Sequence, residues 1–194
     1  MNSSIIRHLK VEDNKCSFEL KCDFSTANAI RRSLISDIAT FSAYKVIIKT
    51  NTSCQTDEYI AHRIGMIPFL PKEDTDTDSD LHVSVTKSNS TLMTTDLNGN
   101  MFSKYNVPII KLIEGQTIDI EVLFDKNTGQ HHARYSPVSA VEFNVNNNNS
   151  IELAFESING EDPIAHLQKC LQTIVERLQH VENTVDEYNN VKIV

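Results

Sequence analysis

Apolar positions along this chain recur with two different periods, and each period predicts its own kind of element. Around Ile5–Val11 and Ser17–Cys22 the pattern suits two strands of a hairpin, with Glu12-Asp13-Asn14 supplying turn residues. Residues 25–41, STANAIRRSLISDIATF, carry Ala27, Ile30, Leu34, Ile38 and Phe41 at steps of three and four. That spacing predicts an amphipathic helix capped by Ser25 or Thr26. Tyr44–Lys49 is rich in β-branched residues and reads as a strand. Thr56 then caps a short helix whose first turn holds Asp57 and Glu58, with Gly65 suited to the C′ position and Pro68 beyond it.

Between about 70 and 147 the pattern alternates, as in Leu81-Val83-Val85 and Ile118-Ile120-Val122, with turns at Asn98-Gly99 and Glu114-Gly115. This predicts a β-rich insertion. After a polar break at Asn146 to Asn149, Ile151–Phe155 supplies one more strand. The last element is a helix starting at Asp162-Pro163, on which Ile164, Leu167, Leu171, Ile174, Leu178, Val181, Val185 and Tyr188 step by three and four. Such a stripe cannot be left in water, because burying each large side chain is worth ~1.5–3 kcal/mol. Its own sheet can cover it, or another chain can, and both can apply at different turns. A helix longer than the strands beside it, with a period nearer 3.5 than 3.6, favours a second chain.

Composition narrows the function. With 26 acidic residues against 18 basic ones the net charge is −8, so the surface repels phosphate and stand-alone nucleic-acid binding is disfavoured. No run of about 18 apolar residues and no apolar leader segment occurs, so a soluble intracellular protein without membrane contact is expected. Cys16, Cys22, Cys54 and Cys170 form no CxxC pair and read as reduced packing residues.

Catalytic signatures are missing. Glu58 and His62 share a helix face, but Asp57 stands where HExxH needs histidine, and His131-His132 have no thiol or carboxylate cluster beside them. In EDTDTDSD (73–80), Ser79 and Val85 occupy positions where a calcium loop needs glycine and glutamate. No phosphate-cradling glycine motif occurs, so no catalytic residue, metal or cofactor is expected.

Three blocks bring in a family. ANAIRRSLISDIATFSAYKVIIKTNTSCQTDEYIAHRIGMIPFLP (27–71), PIIKLIEGQTIDIEVLFDKNTGQHHARYSPVSAV (108–141) and LAFESINGEDPIAHLQKCLQTIVERL (153–178) together closely resemble the α-like subunits of multisubunit DNA-directed RNA polymerases. These include the third-largest subunit of eukaryotic polymerase II, its archaeal counterpart and, more distantly, bacterial α. The resemblance implies an α+β, two-domain fold of the RNA polymerase α-subunit type. A sheet-plus-two-helix dimerisation domain, 1–50 with 148–194, would be interrupted by a β-rich inserted domain, 51–147.

It also implies a non-catalytic scaffold that pairs through its two helices with a smaller α-like polymerase subunit and docks the second-largest subunit. Small polymerase subunits are further candidate partners. The dimer interface would comprise Ala27, Ile30, Leu34, Ile38, Phe41, Ile164, Leu167, Leu171, Ile174, Leu178, Val181 and Val185. Arg31 and Arg32, about 100° apart on their helix, would serve docking of the large subunit, with Arg32 facing it. By the same matching Asp57, Glu58, His62, Arg63, His132, Arg134, Tyr135 and Pro137 would lie on docking surfaces.

This chain departs from the pattern in having no cysteine between residues 55 and 169, where relatives often hold zinc or an iron–sulfur cluster. The compact length and lost metal loop suggest a divergent lineage, such as a polymerase encoded by a large DNA virus. The location would then be the host cytoplasm and virion, or the nucleus for a cellular protein. Two other readings are a free-standing homodimeric module with the same fold and a small hydrolase using His62 or His132.

Overall fold

The computed structural model describes residues 5–72, 81–146 and 150–191. The acidic segment 73–80 and most of the asparagine break, 147–149, lie outside the described residues. In chain order the elements are β1 (Ile6–Glu12), β2 (Lys15–Leu20), α1 (Phe24–Ser36), β3 (Ala39–Asn51), α2 (Asp57–Gly65) and β4 (Leu70–Pro71). They continue as β5 (Leu81–Ser88), β6 (Thr91–Met93), β7 (Met101–Phe102), β8 (Pro108–Lys111), β9 (Thr117–Thr128), β10 (Glu142–Val145), β11 (Ile151–Glu156) and α3 (Pro163–Val191). None of the described helices is long and apolar enough to cross a membrane.

The chain divides into two compact units, 1–38 with 137–194 and 39–136. Both junctions lie earlier than the expected 50/51 and 147/148, and strand pairing explains why. β3 pairs along its length with β9, so it folds with the second unit, whereas β10 pairs with β11 and folds with the first.

In the first unit an antiparallel sheet of order β1-β2-β11-β10 presents one apolar face. Period-two alternation sends Cys16, Phe18 and Leu20 of β2 and Ile151, Leu153 and Phe155 of β11 into the core. The hairpin closes on Asp13-Asn14, with Asp13 in the left-handed region at φ 51. Helices α1 and α3 cover the apolar face with Ala27, Ile30, Leu34, Leu167 and Cys170.

Helix α1 is shorter than its apolar spacing suggests and starts on a different cap. Asp23, rather than Ser25 or Thr26, is the N-cap: its carboxylate accepts from the Thr26 N–H at 3.0 Å and the Thr26 hydroxyl at 2.7 Å. A cap of this kind is worth ~0.5–2 kcal/mol. The helix ends at Ser36, so Ile38 and Phe41 lie beyond it, Phe41 in β3.

The second unit is a sheet of order β3-β9-β5 with two small ribbons, β4-β7 and β6-β8. Ile118, Ile120, Val122 and Phe124 of β9 alternate into its core and meet Ile60 and Ile64 of α2. Thr56 caps α2 by accepting from the Tyr59 N–H at 3.4 Å. Gly65 is the last helical residue rather than a left-handed C′ glycine. Close approach explains it instead, since a Cβ there would stand 3.2 Å from Arg134 Nη1 and 3.6 Å from the Ala43 carbonyl oxygen.

Candidate assembly interface

Asp162 opens α3 by accepting from the Ile164 N–H at 2.9 Å, and Pro163 fills the first helical position, where its missing N–H costs nothing. From there the apolar stripe splits. Leu167 and Cys170 are buried against α1 and the sheet, and Leu171 and Ile174 pack on the same core while half-buried. The Cys170 thiol donates to the Ile30 carbonyl oxygen at 3.6 Å, and burial pushes its pKa up to about 11, so it behaves as a small hydrophobe.

Past Ile174 the stripe is open. Val175 is 45% exposed, Leu178 64%, Val181 59%, Val185 50% and Tyr188 60%. The cause is length: α1 has 13 residues and α3 has 29, or ~20 Å against ~43 Å at 1.5 Å per residue. Where α1 ends, Asp37 accepts from Arg177 Nη1 at 2.5 Å, and α3 continues beyond that ion pair.

The expected dimer-interface residues therefore separate into two groups. Ala27, Ile30, Leu34, Ile38 and Leu167 are buried within their own unit and do not present side chains to a second chain. Phe41 packs on the core of the second unit, and Ile164, Leu171 and Ile174 are half-buried. Leu178, Val181 and Val185 face outward, and Val175 joins them. Sequence reading missed Val175, although it directly follows Ile174 and widens the same stripe.

The two arginines of α1 differ. Arg31 is half-buried and donates from Nε to Asn28 Oδ1 at 3.0 Å, whereas Arg32 is exposed with no hydrogen bond from its guanidinium among the described residues.

In the second unit, Asp57, Glu58, His62 and His132 are exposed. Arg63 is tied down, donating from Nη2 to the Pro108 carbonyl oxygen at 2.7 Å and lying over the Tyr59 ring at 5.7 Å. Arg134 is likewise a strut, its Nη1 donating to the Ala43 carbonyl oxygen at 2.9 Å. His132 Nδ1 accepts from the Arg134 backbone N–H at 3.1 Å.

Two expected docking residues prove to be interior. Tyr135 is 2% exposed, with its hydroxyl donating to Asp125 at 2.5 Å; burial and that carboxylate push its pKa up. Pro137 is buried in the first unit. The HARYSP motif reads as a polar surface segment, but tyrosine combines a large apolar body with a hydroxyl that needs one buried partner, and Asp125 provides it.

One polar cluster had no signal in the sequence. At the root of α3 the fully buried His166 sets Nε2 3.0 Å from Asn159 Oδ1 and 3.2 Å from Ser157 Oγ, and its Nδ1 3.4 Å from Glu161 Oε2. The order serine, histidine, carboxylate imitates a nucleophile triad. Ser157 is 1% exposed and donates to the Glu161 carbonyl oxygen at 2.8 Å, so no substrate reaches it. Burial lowers the His166 pKa. Burial alone would raise that of Glu161, but the hydrogen bond and charge of Lys169 outweigh it and hold the carboxylate below its usual value. Among the described residues no three His, Cys, Asp or Glu side chains gather as a metal site.

The distal half of α3 thus presents an open apolar stripe, and the serine–histidine–carboxylate cluster at its root is closed to substrate. Comparison with known proteins makes this specific. No protein-family model matches the chain. It is 38% identical over 127 residues to the DNA-directed RNA polymerase subunit Rpo3 of Methanocaldococcus jannaschii, covering 64% of this chain and 66% of that protein. It is 30% identical over 203 residues to the DNA-directed RNA polymerases I and III subunit rpac1 of Dictyostelium discoideum, covering 85% of this chain and 58% of that protein. A Conjugation stage-specific protein of Tetrahymena thermophila is 28% identical over 225 residues, covering 94% of this chain and 72% of that protein. The chain belongs to the α-like subunit family of multisubunit DNA-directed RNA polymerases. It spans 66% and 58% of the first two relatives' own lengths.

Proposed function

We propose that this chain is a non-catalytic assembly subunit of a DNA-directed RNA polymerase, and that it works by joining other subunits. The observation that carries the proposal is the open stripe Val175, Leu178, Val181, Val185 and Tyr188 on the distal half of α3. Fully burying a side chain of this size is worth ~1.5–3 kcal/mol, and at 45–64% exposure a covering chain recovers roughly half of that at each position, less the cost of association. A smaller α-like subunit is the chain we assign to that stripe.

Arg32 is the residue we assign to the second-largest subunit, since its free guanidinium fork can clamp carboxylates or carbonyl oxygens of a neighbour bidentately. Asp57, Glu58, His62 and His132 offer a second polar surface on the other unit.

Affinity capture of the tagged chain from its own cells, followed by identification of co-purified proteins, tests the assignment. The two largest polymerase subunits and a small α-like chain are expected. Recovery of the tagged chain without any polymerase subunit would refute it, and a stable homodimer in their place would mean a free-standing module.

A further inference from the structure

The polar cluster at the root of α3 holds a ring nitrogen that bonds to nothing. Asn159 Oδ1 already accepts from the Glu161 backbone N–H at 3.1 Å, so His166 Nε2 beside it carries the ring hydrogen and donates. Nδ1 is then a lone pair, and the atom it faces at 3.4 Å, Glu161 Oε2, is another acceptor. Both Nδ1 and Asn159 Nδ2 are buried without a hydrogen-bond partner. A proton on Nδ1 would turn that contact into an ion pair, but the carboxylate is already engaged. Lys169 Nζ reaches both of its oxygens, at 3.1 and 2.9 Å. Protonation therefore sets a second cation against Lys169 while the ring is 0% exposed.

The remaining charge acting on the ring is Asp162, the cap of α3. From β2 and α1, which pack on the same face of α3, come the Cys16 thiol, kept neutral by burial, and the uncharged Ala27, Ile30, Ser33 and Leu34. A buried imidazolium is relieved by water, and water reaches it only when the first turns of α3 lift. His166 shares its buried face with Leu167 and Cys170, both closed against α1 and the sheet. We propose that His166, with Asn159, Glu161 and Lys169, is a proton-operated catch: the neutral ring seats the root of α3 on its unit, and protonation unseats it. Because α3 is a single helix of 29 residues, loosening at its root is passed on to the stripe it presents. The inference concerns this unit alone and holds whichever chain covers the stripe.

The native chain supplies its own reporters. Cys170 is buried one turn past His166, and Cys54 is exposed on the other unit. Labelling by a pyridyl disulfide, read by peptide mass spectrometry, gives the ratio of the Cys170 rate to the Cys54 rate, from which the pH dependence of thiol reactivity drops out. An opened ring with the ordinary pKa of about 6.5 can raise the opening constant at pH 5.5 by at most about tenfold. The ratio is therefore expected to rise about threefold to tenfold between pH 7.5 and 5.5, and to respond little to about 1 M urea, as local opening does.

His166→Gln should flatten the ratio. Lys169→Met, an exposed change that keeps the ring, should shrink the rise by about half or more, because the freed Glu161 carboxylate can then pair with the imidazolium. A flat ratio in wild type, or an undiminished rise in either variant, overturns the catch. So does a Cys170 rate that climbs with urea as steeply as global unfolding. Should circular dichroism show that His166→Gln does not fold, wild type against Lys169→Met decides alone.

Discussion

Along α3, Ile164, Leu167, Leu171 and Ile174 repeat at the same spacing as Leu178, Val181, Val185 and Tyr188, yet the first four are buried or half-buried and the last four are half or more exposed. Sequence period alone says that a face is meant to be covered. It does not say by what. The difference lies in the neighbour: α1 runs out at Ser36, and the Arg177–Asp37 pair marks the place. The proximal half packs into its own unit, and under the proposed assembly role the distal half serves a partner, so perturbations of the two halves should separate cleanly.

The largest effect on the isolated chain is expected from Leu167→Ala. It empties a packed site and should cost ~2–5 kcal/mol, read as a lower urea midpoint with an unchanged slope. Leu178→Ala, 64% exposed in wild type, should change the same midpoint by no more than ~0.5 kcal/mol. Equal costs at the two positions would erase the comparison.

Next in size, Leu178→Asp with Val181→Asp should leave the melting temperature of the isolated chain nearly unchanged. Recovery of polymerase subunits should fall by about tenfold to a hundredfold, as for central interface residues. A matching loss of intrinsic stability would mean the distal half is covered by its own chain.

Asp37→Asn and Arg177→Met probe the junction. Arg177 is 53% exposed, so solvent screening limits the pair to ~0.2–1 kcal/mol, and a double-mutant cycle should return a coupling in that range.

The smallest effect is a pH slope at the root of α3. Burial lowers the folded-state pKa of His166 below its ordinary 6.5, so the unfolded chain binds the extra proton more readily. The corresponding stability is complete above about pH 6.5 and declines as pH falls toward the lowered folded value. Glu161, also lowered, adds a separate loss below its ordinary 4.5. Urea midpoints between pH 8 and 5.5 should fall with acidity in wild type and flatten over that range in His166→Gln.

Much of the fold was legible because period and caps agree locally. β1 and β2, α2 with Thr56, β9 and the start of α3 at Asp162-Pro163 all follow from a few adjacent residues. Failures occurred where a long-range partner decides. Ile38 and Phe41 continue the helical spacing of α1, but pairing of β3 with β9 captures the chain from Ala39 onward. Gly65 resembles a helix stop and instead makes room for Arg134 and the Ala43 carbonyl. Arg63, Arg134 and Tyr135 look like surface chemistry in sequence, but their polar atoms hold Pro108, Ala43 and Asp125 within the same unit. The His166 cluster has no periodic signature, because Ser157, Asn159, Glu161 and His166 meet only when β11 turns into α3.

Amide hydrogen exchange along α3, measured on the isolated chain and on the affinity-purified assembly, tests the central claim most directly. Its proximal amides should be protected in both samples. The distal amides, from Leu178 to Tyr188, rest on an open helix and should exchange quickly in the isolated chain, then slow markedly in the assembly. Distal amides already as protected as the proximal ones in the isolated chain, or unchanged on assembly, would contradict it.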